Sequence, residues 1–311
     1  MILCVTPNPA VDRTLVVPGF AHGGVFRTQE YLVAAGGKGV NVARAVQTLG
    51  QEAVCAGFLG GFSGQSVAAM VQRTGLDACW TWLPGRETRT CVILVDPESA
   101  ITSVLNEPGP QLTAADWTPL RADLLQAAGD VSVISFSGSL PPGSPSALFA
   151  ALLADLVTMG KQVWVDTSST ALEAALQVRG VFLKVNDEEA AALMNRPIHT
   201  PADAVAAARQ MMTKTRQPVV ITLGKQGAVW VDGGQAWLAI PPVITGTGSV
   251  GSGDSFLAGL LVALANGAAQ PAALGQGVAA GTANAHSLGS ACFTRQDFES
   301  VMGQIQIIDG L

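Results

Sequence analysis

The sequence predicts an α/β fold with a mostly parallel central sheet and helices on both of its faces. Three observations predict it. Short apolar runs alternate with helix-period segments along most of the 311 residues. Hydrophobic residues make up 49% of the chain and charged residues only 13%, which suits strands buried on both faces. Glycine- and aspartate-rich loops fall where strands give way to helices, the edge at which open parallel sheets bind ligands.

In chain order, residues 2–5, 53–58, 131–136, 162–165, 181–185 and 219–222 read as buried strands. Helices are expected over 39–49, 63–74, 114–127, 146–159, 202–213, 255–265 and 272–286, several of them rich in alanine, a strong helix former. Two stretches, about 11–33 and about 86–106, break the alternation. They carry strand-like runs at 14–17, 25–33, 90–95 and 100–105, separated by Pro-Gly or Asp-Pro-Glu-Ser turns. They read either as a small β lid beside the main sheet or as two surface hairpins. No Pro- or Ser-rich linker, repeat or low-complexity tract interrupts the chain, so residues 1–311 are expected to form one unit with the lid inserted.

Charge and composition narrow the function. The net charge is −6 and no lysine–arginine stripe forms, which argues against a nucleic-acid partner. The longest apolar stretch, 256–265, is far shorter than the roughly 20 residues a membrane span needs. The first residues lack the basic segment of a secretory leader, and a cytoplasmic protein is expected. Cys4, Cys55, Cys79, Cys91 and Cys292 show no paired spacing and read as reduced core thiols. His22, His199 and His286 lack zinc-ligand spacing.

The strongest chemical motif runs from Gly246 through Gly248, Ser249, Gly251, Ser252 and Gly253 to Asp254, and opens an apolar helix. Glycines bring backbone N–H groups close to a ligand, and a helix N-terminus favours an anion. The amides of Gly251, Ser252 and Gly253 suit the charge that builds on a transferring phosphoryl group, while Asp254 stands ready to accept a proton from an attacking hydroxyl. Alternatively, Asp254 and its neighbours form a helix cap. Residues 246–251 also match G-x-G-x-x-G, but no acidic residue follows at the ribose position, and no P-loop is present. A second motif, Gly36-Gly37-Lys38-Gly39-Val40-Asn41, offers room for a polyol, an amide that donates and accepts, and a lysine for a phosphate; it also reads as a plain loop with a solvated lysine. A third places Asn186 and Glu189 three residues apart after Lys184, suited to ordering water around magnesium or to completing a helix N-terminus.

Together these motifs resemble the ribokinase/PfkB carbohydrate kinases over nearly the whole chain. Ser137-Gly138-Ser139-Leu140-Pro141-Pro142-Gly143 and Thr222-Leu223-Gly224-Lys225-Gln226-Gly227 fit the same family in order and spacing. The resemblance implies a Rossmann-like three-layer sandwich with a β lid that forms a homodimer clasp. It implies Asp254 as base, with Gly251, Ser252 and Gly253 as anion hole. Asp12, Gly37, Asn41 and Ser139 would meet the sugar. Lys184, Asn186, Thr222, Gly224, Gly227, Ser249 and Asn284 would meet ATP. Asn186 and Glu189 would support Mg2+ through water. Thr6-Pro7-Asn8-Pro9-Ala10-Val11-Asp12-Arg13-Thr14 is similar to the phosphosugar kinases of the family, for which Arg27, Lys38 and Arg89 would hold the phosphate already on the substrate. Gly248 and Ser249 depart from the family's usual acidic or amide residue followed by threonine, which leaves any side-chain contact there in question. The expected function is ATP-dependent phosphorylation of a sugar phosphate, with a kinase of unphosphorylated sugars or nucleosides as the alternative. An NAD(P)-binding oxidoreductase and a non-catalytic sensor compete from other classes.

Overall fold

The computed structural model describes residues 1–99, 101–243, 250–285, 287 and 289–310. Ten strands form one sheet in the order β14-β13-β12-β11-β10-β9-β8-β1-β4-β5. Its parallel part comprises β1 (Ile2–Thr6), β4 (Ala53–Leu59), β5 (Asp77–Trp82), β8 (Val133–Ser137), β9 (Gln162–Asp166), β10 (Val181–Asn186) and β11 (Val219–Thr222). Antiparallel strands β12 (Ala228–Asp232), β13 (Gln235–Ile240) and β14 (Gln306–Asp309) extend one edge. The central strands are apolar throughout because both faces are covered: every residue of β1 and of β8 is buried.

One face carries α3 (Ala114–Ala127), α4 (Ser146–Thr158), α5 (Ser169–Leu176), α6 (Asp187–Met194) and α7 (Pro201–Thr215), packed through Trp117, Leu124, Phe149, Leu153, Leu172 and Met211. The other carries α1 (Lys38–Thr48), α2 (Gly61–Arg73), α8 (Ser252–Ala265), α9 (Gln270–Asn284) and α10 (Arg295–Met302), packed through Val40, Val46, Val67, Leu260, Leu274 and Phe298. Local chemistry starts these helices where they are needed. Thr113 with Asp116, Asn186 with Glu189, Thr200 with Asp203 and Thr294 with Asp297 each make a capping box, and Pro201 follows its Thr200 cap.

The expected lid is a four-stranded sheet in the order β3-β2-β6-β7, built from β2 (Ala10–Val16), β3 (Tyr31–Gly36), β6 (Arg89–Asp96) and β7 (Ile101–Asn106). The two breaks in the alternation are therefore not separate hairpins. β2 pairs in parallel with β6, placing Asp12 opposite Cys91, and antiparallel with β3. The strand expected over 25–33 is corrected: residues 17–30 are a connection, and pairing begins only at Tyr31. Cys4, Cys55 and Cys91 are buried as expected, but Cys292 is exposed, and all five thiols are free. Among the described residues, no helix is long and apolar enough to cross a membrane.

Candidate active site

The loops that matter open at the carboxyl ends of β1, β8, β9 and β10. Gly251 caps α8 in the left-handed region (φ 79), so Ser252, Gly253 and Asp254 form its first turn. No side chain caps this helix, and Asp254 is left free for another role. Its carboxylate is only 5% exposed, whereas Gly251, Ser252 and Gly253 are half-buried. Asn41, in the first turn of α1, donates from Nδ2 to Asp254 Oδ2 at 2.8 Å. Burial raises the Asp254 carboxyl above the usual range. Lys38 opposes this, Asp166 adds to it, and the Asn41 hydrogen bond and Lys184 hold it back.

Asp12, on the lid strand β2, faces the same region. Burial pushes its carboxyl up to about 6 against the pull of Arg89 and Arg44, with Asp254 adding to the rise. Its side chain lies over Gly36, where any Cβ would collide with the carboxylate. Gly37 takes φ 102 in the step from β3 to α1, and a Cβ there would stand 2.6 Å from Thr6 Cγ2.

Next to Asp254 lies an ion cluster that the sequence did not reveal. Asp166, fully buried at the end of β9, accepts from Lys184 Nζ at 2.8 Å and from Lys38 Nζ at 3.1 Å. Burial pushes the Asp166 carboxyl up, but the two lysines outweigh it and hold the group below its ordinary value. Asp166 in turn raises Lys38 well above the usual lysine range, and burial opposes it. The Lys184 ammonium would lie 3.1 Å from a Cβ on Gly253, so it stands beside the amides of the α8 N-terminus. Register could have exposed Asp166: it ends a strand beside Ser137 and Lys184, on the face they share.

The other expected ligand residues make contacts within the protein or stand at the surface as follows. Lys38 is tied to Asp166, with Glu189 Oε1 at 3.8 Å, and its side chain stays 39% exposed at the rim. Asn186 is the N-cap of α6: its Oδ1 accepts from the Glu189 amide at 2.7 Å, and Glu189 Oε2 accepts from its own amide at 2.9 Å. Asn284 is fully buried, and its amide group holds Val250 O, Ser252 Oγ and the Cys292 N–H, so it braces the α8 entry. Arg89 is half-buried and directs Nε and Nη2 to Asn8 O and Nη1 to Glu107 O, which leaves two N–H groups for a ligand. Arg27 is exposed in the lid connection, apart from this network. Ser139 is exposed in the loop after β8. Thr222 ends β11 and is half-buried; beyond it Gly224 is exposed, and Gly227 (φ 94) sits where a Cβ would strike Ala239 O. Gly246, Gly248, Ser249 and His286 lie outside the described residues.

No group of three His, Cys, Asp or Glu side chains able to hold a metal gathers among the described residues. Glu189 Oε1, the carboxylate oxygen that the α6 cap leaves over, stands 3.8 Å from Lys38 Nζ; a single such hard oxygen fits a magnesium ion held mainly through water.

A buried carboxylate, two lysines and an open helix N-terminus at one strand edge are suited to phosphoryl transfer, and with this fold they define the class of small-molecule kinases. The profile of the pfkB family carbohydrate kinase matches residues 5–295. The chain is 37% identical over 262 residues to a 1-phosphofructokinase of Rhodobacter capsulatus, covering 84% of this chain and 82% of that one. It is 28% identical over 316 residues to a tagatose-6-phosphate kinase of Staphylococcus epidermidis, covering 99% and 100%. The tetrameric inhibited form of phosphofructokinase-2 from Escherichia coli superposes with a TM-score of 0.89 at 27% identity, covering 97% of this chain and 98% of that one. The chain belongs to the pfkB family of carbohydrate kinases, phosphotransferases that act on a hydroxyl. That membership displaces the oxidoreductase reading of G-x-G-x-x-G.

Proposed function

We propose that this protein transfers the γ-phosphoryl group of ATP to a hydroxyl of a sugar phosphate, with fructose 1-phosphate, giving fructose 1,6-bisphosphate, as first choice and tagatose 6-phosphate as second. The observation that carries the reading is Asp254, buried in the first turn of α8 and aimed by Asn41. Its raised proton affinity suits a general base, which must take a proton without being so acidic that it refuses one. The relatives named for 1-phosphofructokinase and tagatose-6-phosphate kinase support the acceptor class.

In this reading the sugar lies under the lid against Asp12, Gly37, Asn41 and Ser139. Its phosphate meets the remaining N–H groups of Arg89, the rim lysine Lys38 and, from the lid connection, Arg27. The nucleotide lies across the ends of β10 and β11, along Lys184, Thr222, Gly224 and Gly227. Asp254 removes the hydroxyl proton as the oxygen attacks in line. The N–H groups of Gly251, Ser252 and Gly253, with the Lys184 ammonium beside them, offset the charge on the transferring group. Glu189 would hold Mg2+ through water, and the ion supplies charge neutralisation on the phosphates. The lid keeps water from the γ-phosphate.

The lid also exposes an apolar face: Tyr31 is 65% exposed, Ile101 58% and Leu105 56%. Such a patch supports pairing of two lids as a homodimer.

The test is an ATP-consumption screen over fructose 1-phosphate, fructose 6-phosphate, tagatose 6-phosphate and the free sugars. Preference for a phosphorylated acceptor is expected, and equal use of free fructose refutes the substrate class. Asp254→Asn should keep ATP affinity and lower kcat by about 10²–10⁴. Near-normal turnover in that variant refutes the base assignment.

A further inference from the structure

Arg44 belongs to none of the ligand contacts proposed above, yet its guanidinium joins three segments of the site. It lies in the second turn of α1 and is half-buried. Its Nη1 donates to Asn41 Oδ1 at 3.3 Å and to Ser290 O at 2.7 Å, and its Nη2 donates to Ala35 O at 2.7 Å. Three segments thus meet on one guanidinium: the end of lid strand β3, the first turn of α1 and the loop after α9.

We propose that Arg44 is a positioning residue that aims Asp254 through Asn41 and seats the α8 N-terminus through Ser290, tying both to the lid strand. The first half follows from donor chemistry. An ionised carboxylate only accepts, so Asn41 must present its NH2 to Asp254. A guanidinium only donates, so Arg44 holds the carbonyl end of the same amide and forbids the flipped orientation. The second half follows from contact. A Cβ on Gly251, the cap residue of α8, would lie 2.7 Å from Ser290 Cα, so the backbone that Arg44 grips is the backbone against which the α8 entry rests. The third bond, to Ala35, fixes the last turn of chain before Gly37, with Asp12 paired to Ala34 next door. Lysine offers a single ammonium where three carbonyl groups lie along three directions of a planar fork, so it cannot replace this arginine.

The inference rests on Asp254 as base, and the experiment separates the two. Arg44→Lys, Asn41→Ala and the double variant are compared in kcat, in KM for ATP and for the sugar phosphate, and in thermal unfolding. Each single variant should lower kcat by about 10²-fold, the scale of a misaimed reacting group; Arg44→Lys should nearly keep both KM values, whereas Asn41→Ala, which also removes a proposed sugar contact, should in addition raise the sugar-phosphate KM. The double variant should lose little more than either single, because both act through one chain of contacts. Losses that multiply, a normal kcat in Arg44→Lys, or a rise confined to the sugar-phosphate KM would overturn the proposal. Asp254→Asn runs beside them. If it abolishes turnover while the Arg44 and Asn41 losses multiply, only the positioning role fails; if it turns over normally, the base reading fails and takes this one with it. Should Arg44→Lys not fold, Arg44→Gln is read by the same criteria.

Discussion

Replacing Asp166 by asparagine should destabilise the protein more than any other single change at the strand edge. The carboxylate is fully buried between two ammonium groups, at 2.8 Å from Lys184 and 3.1 Å from Lys38. Lys38 has an escape, since its side chain is 39% exposed and Glu189 lies at 3.8 Å. Lys184 has none, with only 4% of its side chain exposed. The loss is therefore set by one unpaired buried ammonium, about 3–5 kcal/mol. At about 2–4 °C per kcal/mol, that is a fall of roughly 6–20 °C in Tm. Urea unfolding at neutral pH measures it. Asp166→Asn combined with Lys184→Met removes both charges and should recover most of the loss. The pH dependence has a definite sign. Asp166 is held below its unfolded pKa, so its contribution is complete above about pH 4 and fades as the pH drops further, narrowing the gap between wild type and variant. A loss under about 1 kcal/mol, or a double variant no more stable than the single, refutes the argument that an unpaired Lys184 dominates.

Asp12 should behave in the opposite sense. Its carboxyl titrates near 6, above its unfolded value, so the ionised group weakens the fold at neutral pH. Asp12→Asn should add roughly 1–3 kcal/mol at pH 8 and progressively less toward pH 4, while raising KM for the sugar phosphate; melting curves across that range check the sign. Gly227→Ala should cost about 2 kcal/mol or more and weaken ATP binding, because φ 94 and the Ala239 carbonyl both reject a side chain. Paired unfolding and nucleotide titrations read both effects. Tyr31→Asp with Ile101→Asp should shift sedimentation toward the monomer if lids pair, since both side chains are more than half exposed on the lid sheet.

Most of the sheet was legible because parallel strands buried on both faces read as uninterrupted apolar runs; β1, β4, β9, β10 and β11 begin where their apolar runs do. The elements that escaped lie at edges or follow subtler signals. β5 mixes Asp77, Thr81 and three exposed positions at the sheet's end, so its period is blurred. The β12–β13 hairpin turns on Gly233-Gly234 between Asp232 and Gln235, a two-residue glycine turn that could have been recognised. At the site, residue types pointed to the right neighbourhoods but not to partners. Asn41 looked like a sugar ligand, and its nearest partner is Asp254. Asp166 carried no motif, because its importance comes from Lys38, 128 residues earlier in the chain. Which charge neutralises which is decided by sheet register, and local sequence does not encode it.

The sheet grows outward from β1 in two directions, and this divides the chain as cleanly as it divides the molecule. Everything through Asn106 builds one wing and the lid; β8 to β14 and the last three helices build the other. The two wings are thus successive passages of one polypeptide, joined where β1 pairs with β8, where α1 packs against α8 and where Lys38 meets Asp166. In the proposed site Asp12, Gly37, Asn41 and Arg89 belong to the first passage and Ser139 to the second, so sugar preference should change mainly through the opening third. A hybrid spliced between relatives near residue 110 should inherit its taste in sugars from one parent and its grip on ATP from the other.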